Sequence, residues 1–190
     1  MEETAVDYNE AMKTETGITL IELVVTIAIA AILVGAAAPM WKDFIQSHRA
    51  ATAANTLVGA LQLARSEAVK RGLRVSVCST ADPTAAAPVC SGSGDWHTGW
   101  IVFTDDTGAA GTKDGTDELI RIWNALSPGT TLTAVNESAT AAPNVQFLST
   151  GFSVGSRTFL LMPPDCADRN VRTISVSPQG RTDVGSGSCS

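Results

Sequence analysis

A chain of 190 residues, 44% hydrophobic and 17% charged, fits one domain plus one membrane-grade segment, and its length argues against a multidomain enzyme. Its 19 acids against 13 bases give a formal charge of −6, which speaks against a general nucleic-acid electrostatic footprint, since that requires a basic face. The imbalance is concentrated at the start, where Glu2, Glu3, Asp7, Glu10 and Glu15 face Lys13 alone, leaving 14 acids and 12 bases after Gly17. Sixteen glycines, one tyrosine and many Ala, Thr and Ser residues describe a secreted, loop-rich β domain rather than a compact cytosolic enzyme. Four cysteines, Cys78, Cys90, Cys166 and Cys189, contain no CxxC pair, so zinc and thioredoxin chemistry are poorly supported and an oxidising compartment fits better.

The first element is the run ITLIELVVTIAIAAILVGAAA over residues 18–38, whose only charge is Glu22. It reaches the roughly 20 residues that a transmembrane helix needs. A cleaved signal peptide is the competing reading, with Ala36, Ala37 and Ala38 imitating a small-residue cleavage site. Against it, the run exceeds the usual h-region of about 7 to 15 residues, carries an acid near its start and is followed directly by Pro39. A carboxylate so placed costs up to about 2.5 to 3.5 kcal/mol at the bilayer centre and less near the interface, so a compensating partner is expected.

Gly17 followed by Ile18-Thr19-Leu20-Ile21-Glu22, with Pro39 downstream, resembles the class III signal of type IV prepilins and type II secretion pseudopilins. The resemblance implies that a prepilin peptidase cuts between Gly17 and Ile18 and methylates the new N-terminus. It also implies that Glu22 and Pro39 serve assembly. Ile18 departs from the family's usual Phe at that position. One feature conflicts with the implied orientation: the leader holds one Lys, while Lys42 and Arg49 follow the span, contrary to the positive-inside tendency. The conflict shrinks if Met12 is the true start, because Met12-Lys13-Thr14-Glu15-Thr16-Gly17 is then a short leader with an amine and a lysine against one acid.

Beyond Pro39 no proline interrupts the chain before Gly72, a plausible helix terminator. Ala50, Ala54, Leu57, Leu61, Ala64 and Ala68 recur at spacings of four and three, one apolar stripe expected to face a sheet. Arg49, Gln62, Glu67, Lys70 and Arg71 lie largely off it, and Glu67 with Arg71 forms an i,i+4 pair. A single helix over 18–71 spans about 80 Å at 1.5 Å per residue, so its first half reads as a stalk. Pro39 is expected to kink or loosen it, and Trp41 fits either an interfacial anchor or a packed position in an assembly.

The remainder predicts short strands at 74–79, 100–104, 119–123, 145–148, 158–162 and 172–177, separated by Gly, Pro, Asp and Ser clusters. The succession ARSEAVKRG, VSVCS, GWIVFTDD, a glycine-rich loop and ELIRIW resembles the GspH/FimT branch of minor pseudopilins, strongly over residues 17–126. The fold this implies is α+β and type IV pilin-like: a long N-terminal helix, half transmembrane and half amphipathic, packed on antiparallel β-sheets. The expected organisation is a leader at 1–17, a transmembrane and assembly helix at 18–38, its amphipathic continuation at 39–72 and a periplasmic β domain at 73–190.

Asp95, His97, Asp105 and Asp106 can be combined with serines on paper, but no GxSxG elbow or HExxH spacing accompanies them, so no catalytic residue is assigned. Five carboxylates, Asp105, Asp106, Asp114, Asp117 and Glu118, surround a glycine-rich loop. Calcium-loop spacing fails at Gly108 and Ala110, and a solvated hairpin loop is the preferred reading, with no metal assigned. Arg157, Arg169, Arg172 and Arg181 lend the last third some positive character. Some FimT-like members bind DNA through Gly-Arg-x-Arg, and here the segment reads Gly180-Arg181-Thr182-Asp183, an acid where the second arginine belongs.

The function expected is a minor pseudopilin, a structural subunit of the type II secretion pseudopilus or a type IV pilus, with no cofactor and no enzymatic activity. The alternative is a FimT-like DNA-binding pilus-tip protein. The expected partners are other pilins or pseudopilins, the prepilin peptidase, the inner-membrane assembly platform and membrane lipid, with nucleic acid not expected. The expected location is the bacterial inner membrane, single-pass, with the C-terminal domain in the periplasm. Of three disulfide connectivities, Cys78 with Cys90 and Cys166 with Cys189 is preferred because each pair is local and brackets a Pro/Gly/Ser-rich segment. Each is worth about 3 kcal/mol in the chain-entropy model.

Overall fold

The computed structural model describes residues 17–164 and 170–188, without the side chains of 36–40, 42 and 43 inside the helix. Helix α1 covers Leu20–Arg71. It starts because Thr19 caps it: the Glu22 N–H donates to Thr19 Oγ1 at 3.3 Å and the Leu23 N–H to the Thr19 carbonyl at 3.1 Å. It stops at Gly72, which takes φ +70° and donates its N–H to the Ala68 carbonyl, as expected of a left-handed terminator. The helix assignment is continuous through Pro39, whose side chain lies outside the described residues.

By internal contacts the chain divides into residues 1–42 and 43–190. In the first unit the described side chains of Leu20, Ile21, Val24, Ile27, Ile32 and Leu33 are all exposed. Among the described residues no helix is long and apolar enough to cross a membrane; the described part of the apolar helical run ends at Gly35.

The second unit holds the rest of α1 and eight strands: β1 (Val75–Ser79), β2 (Trp100–Thr104), β3 (Leu119–Trp123), β4 (Thr131–Asn136), β5 (Asn144–Phe147), β6 (Arg157–Met162), β7 (Arg172–Val176) and β8 (Thr182–Ser186). They form two four-stranded antiparallel sheets, ordered β3-β2-β1-β5 and β4-β6-β7-β8. Ala50, Ala54, Leu57, Leu61, Ala64 and Ala68 are all buried, as the stripe predicts, and Ala60 joins them. Five of those seven side chains are single methyl groups, so the space beside the helix is filled from the sheets and loops by Trp96, Trp100, Phe147, Phe159, Leu132 and Ile174. Trp96 is wholly buried, donates Nε1–H to the Ala142 carbonyl at 2.9 Å and meets Phe159 edge-on at 4.9 Å.

Two strands escape the sequence pattern. β4 reads TLTAVN and β8 reads TDVGS, each with few large apolar residues. β4 still alternates inward, through Leu132 and Ala134, while β8 is an edge held by its backbone pairing to β7, with Val184 half exposed.

Among the described residues of this unit, three carboxylates lie below the ordinary carboxylate range. Glu67 is lowered first by its hydrogen bond from Arg71 (Nε to Oε2, 2.7 Å), Asp82 by the Thr84 hydroxyl and N–H, and Glu137 by the Ser156 hydroxyl and N–H. A depressed folded-state pKa adds stability above the unfolded-state value and loses it as pH falls through the folded value. The thermal midpoint of the full chain in mild detergent, read by tryptophan near-ultraviolet dichroism, is therefore expected to be lower at about pH 3 than at about pH 6. An equal or higher midpoint at the acid end contradicts this.

Candidate functional site

The conspicuous region is the start of α1. Gly17 is exposed, and a Cβ built on it meets none of the described residues within 4 Å, so packing among them does not demand a glycine there. Ile18 is 74% exposed, Thr19 is the cap, and Glu22 sits three residues on, in the first helical turn. That spacing is a capping-box sequence, and it sets the carboxylate at the positive end of the helix macrodipole. Glu22 is the single acid in an otherwise apolar exposed stretch, a position where a carboxylate is favoured by the helix end and disfavoured by a lipid surrounding.

In the second unit Cys78 and Cys90 are joined by a disulfide. Cys166 and Cys189, like residues 1–16 and Arg169, lie outside the described residues. The acidic loop is the hairpin expected of it, joining the antiparallel neighbours β2 and β3 with most of its residues exposed, but two of its carboxylates turn inward. Asp105 is completely buried, where it accepts hydrogen bonds from Ser76 Oγ at 2.5 Å and from the Gly111 N–H at 2.8 Å, and pairs with Arg74 Nε at 3.1 Å. Asp117, also buried, accepts from the N–H of Asp114 at 3.0 Å, and Asp114 in turn accepts from the N–H of Ala109 at 3.0 Å. Asp105, Asp114 and Asp117 thus satisfy loop backbone, and Glu118 pairs with Arg71 Nη1 at 2.6 Å. Among the described residues no three acids, histidines or cysteines form a group able to hold a metal ion.

Of the polar residues considered for hydrolysis, Asp105 is committed to Arg74 and Ser76, the Nδ1 of His97 is buried without a partner, and no hydrogen bond among the described residues joins Asp95, His97 and Asp105. A groove of about 410 Å³ beside α1 is lined by Phe44, Ile45, His48, Arg49, Leu126 and Ser127 among others, with one histidine and neither carboxylate nor cysteine.

The C-terminal arginines are mostly occupied. Arg157 donates to the carbonyls of Asn144 and Ser156, and Arg172 donates to that of Val171. Arg181 Nη2 lies 3.5 Å from Asp183, the acid that replaces the second arginine of the DNA-binding pattern, so a phosphate approaching Arg181 meets that carboxylate as well. Sequence reasoning missed Arg65, whose Nε donates to the Gly151 carbonyl at 2.9 Å and Nη2 to the Gln179 carbonyl at 3.2 Å, tying two turns to the helix. Gly180, at φ +74°, sits against this clamp, and a Cβ there falls 2.2 Å from the Gly151 oxygen. The sole sequence hint was a long cation lying off the apolar stripe.

A helix of this length whose second part is seated across two antiparallel sheets, preceded by an exposed Gly-Ile start and an acid in the first turn, defines a pilin-like class of protein. The solved structures most usefully compared agree in fold: the type IV minor pilin FimU of Pseudomonas aeruginosa, at 23% identity over 75% of this chain and 92% of that one with a TM-score of 0.54, and the minor pseudopilin EpsH of the type 2 secretion system of Vibrio cholerae, at 16% identity over 73% and 97% with a TM-score of 0.50. The prokaryotic N-terminal methylation motif matches residues 12–38, and the family described as type II transport protein GspH matches residues 53–180. The chain belongs to the GspH family of minor pseudopilins and pilins. No curated protein matches it.

Proposed function

We propose that the protein is a minor pseudopilin, a structural subunit built into a type II secretion pseudopilus or a type IV pilus and acting in protein secretion or pilus assembly. The observation that carries this is the methylation motif over 12–38 and the GspH match over 53–180 in one chain, with helix α1 (Leu20–Arg71) running from the first into the second. In this reading a prepilin peptidase removes 1–17 and methylates Ile18. Residues 18–38 anchor the chain in the bacterial inner membrane, 39–72 continue the helix, and 73–190 form the periplasmic β domain. The inner-membrane platform and other pilins or pseudopilins are its partners. The open surroundings of Gly17 support the cut: the fold imposes no steric reason for that glycine, so a protein that reads the site supplies one. The role is assembly rather than bond chemistry.

The test is rescue of a deletion strain. Full-length protein is expected to restore secretion or piliation, with a mature N-terminus at Ile18 by intact-mass analysis. The β domain with its helix from residue 46 onward, sent to the periplasm by itself, is expected to restore neither. Rescue by that domain alone defeats the filament-subunit reading, and a mature start at Pro39 returns the chain to an ordinary signal peptide.

A further inference from the structure

The outer face of the first sheet, turned away from α1, carries a small cluster of Cys78, Ile101 and Phe103 with Cys90 and Leu119 against it. Two loops roof this cluster and meet at one sulfur. Residues 80–91 return to Cys90, which is bonded to Cys78 in β1. Residues 105–118 arrive at the same atom, where the Lys113 N–H donates to Cys90 Sγ at 3.4 Å. Two residues earlier Gly111 is buried on the sheet, its carbonyl accepting from Asn144 Nδ2 at 3.2 Å and its N–H held by Asp105. At φ +80°, and with a Cβ position only 2.4 Å from Asn144 Nδ2, this contact leaves no slack.

We propose that the Cys78–Cys90 disulfide is a redox latch that seats the acidic loop 105–118 on the outer face of the first sheet. Closure joins two thiols into one S–S bond, and the two protons and two electrons released pass to a thiol–disulfide oxidant; opening takes the same from a dithiol reductant. With the bond open, Cys90 no longer has to lie over Gly111 and Lys113, and water reaches both amides. The sheet beneath stays formed, because the ends of the 80–91 loop keep their own ties: the Thr80 N–H to the Gly99 carbonyl at 3.0 Å and the Ser91 N–H to the Ser79 carbonyl at 2.8 Å. The opening is thus local, confined to 82–90 and 105–118. That the latch closes on entering an oxidising compartment rests on the periplasmic reading above; the loosening itself does not, so the two ideas fail separately.

The experiment uses the full chain in mild detergent, comparing the parent with the double variant Cys78→Ser, Cys90→Ser, which leaves Cys166 and Cys189 in place. Hydrogen exchange across 105–118 and cleavage after Lys113 by a lysine-specific protease are both expected to accelerate about tenfold in the variant, while β6 and β7 keep the parent's exchange rates. Treating the parent with a dithiol, with mass analysis showing free thiols at 78 and 90, is expected to reproduce the change. Lys113 staying within about twofold of the parent overturns the latch, and so does an equal loss of protection in β6 and β7, which marks the bond as a general staple.

Discussion

A chain carrying Glu22→Ala is expected to be processed and held in the membrane yet to be absent from filaments. Removing the one acid from an apolar helical run makes residence in lipid easier, so insertion improves or stays the same. The cap survives as well, since it uses the Glu22 backbone N–H and Thr19 Oγ1, and alanine retains that N–H. What is lost is a carboxylate able to pair with the N-terminal amine of a neighbouring subunit. A unit-charge pair at about 4 Å is worth about 4 kcal/mol at an effective dielectric of 20, more than enough for a tenfold loss of incorporation. Quantifying the subunit in sheared filaments against the membrane fraction reads this directly. Incorporation equal to the parent's removes the pairing and leaves the Glu22 carboxylate without an assembly role.

Gly180→Ala is expected to lower the stability of the domain substantially through the addition of a single methyl group. The residue takes φ +74°, a left-handed conformation that costs an L side chain about 1 to 2 kcal/mol, and the new Cβ must displace the Gly151 carbonyl that Arg65 holds. With that hydrogen bond worth about 1 kcal/mol, a total near 2 to 3 kcal/mol lowers the thermal midpoint by roughly 4 to 12 °C. Gly59→Ala is the control: it lies within α1 with open space around its Cβ position, and alanine is the better helix former by about 1 kcal/mol. It should hold or raise the midpoint. Equal behaviour of the two variants removes the steric role assigned to Gly180.

The contrast between Gly17 and Gly180 shows what was legible and why. Both stood out in the sequence as parts of motifs, but only in the fold is Gly180 demanded by its described neighbours while Gly17 is not. The helix stripe was readable because a period near 3.6 is written locally, residue by residue, from Ala50 to Ala68. Six strands were readable because they concentrate Val, Ile, Leu, Phe and Trp. β4 and β8 were not, because each holds at most two large apolar residues beside Ala, Asn, Asp or Gly, which are poor strand formers, so their pairing leans on a partner backbone, β6 for β4 and β7 for β8. The burial of Asp105 was unreadable for a related reason. Its partners Arg74, Ser76 and Gly111 belong to separate stretches of chain, and only the fold converts an apparent ion loop into a satisfied carboxylate. The Cys78–Cys90 bond was accessible because the two residues are only 12 apart in sequence.

The seam between α1 and the sheets also has a mechanical meaning. A filament part is pushed and pulled along its shaft, and along Ala50–Ala68 that load falls on many shallow contacts arranged in parallel, with Arg65 gripping two turns partway down. Small methyl groups offer little interlocking to resist sliding, so the grip against slippage falls to Leu57 and Leu61 and to the cations that reach across, Arg65 to two turns and Arg71 to Glu118. In such a joint Arg65 acts as a shear pin, and the alanines as the bearing surface it keeps aligned.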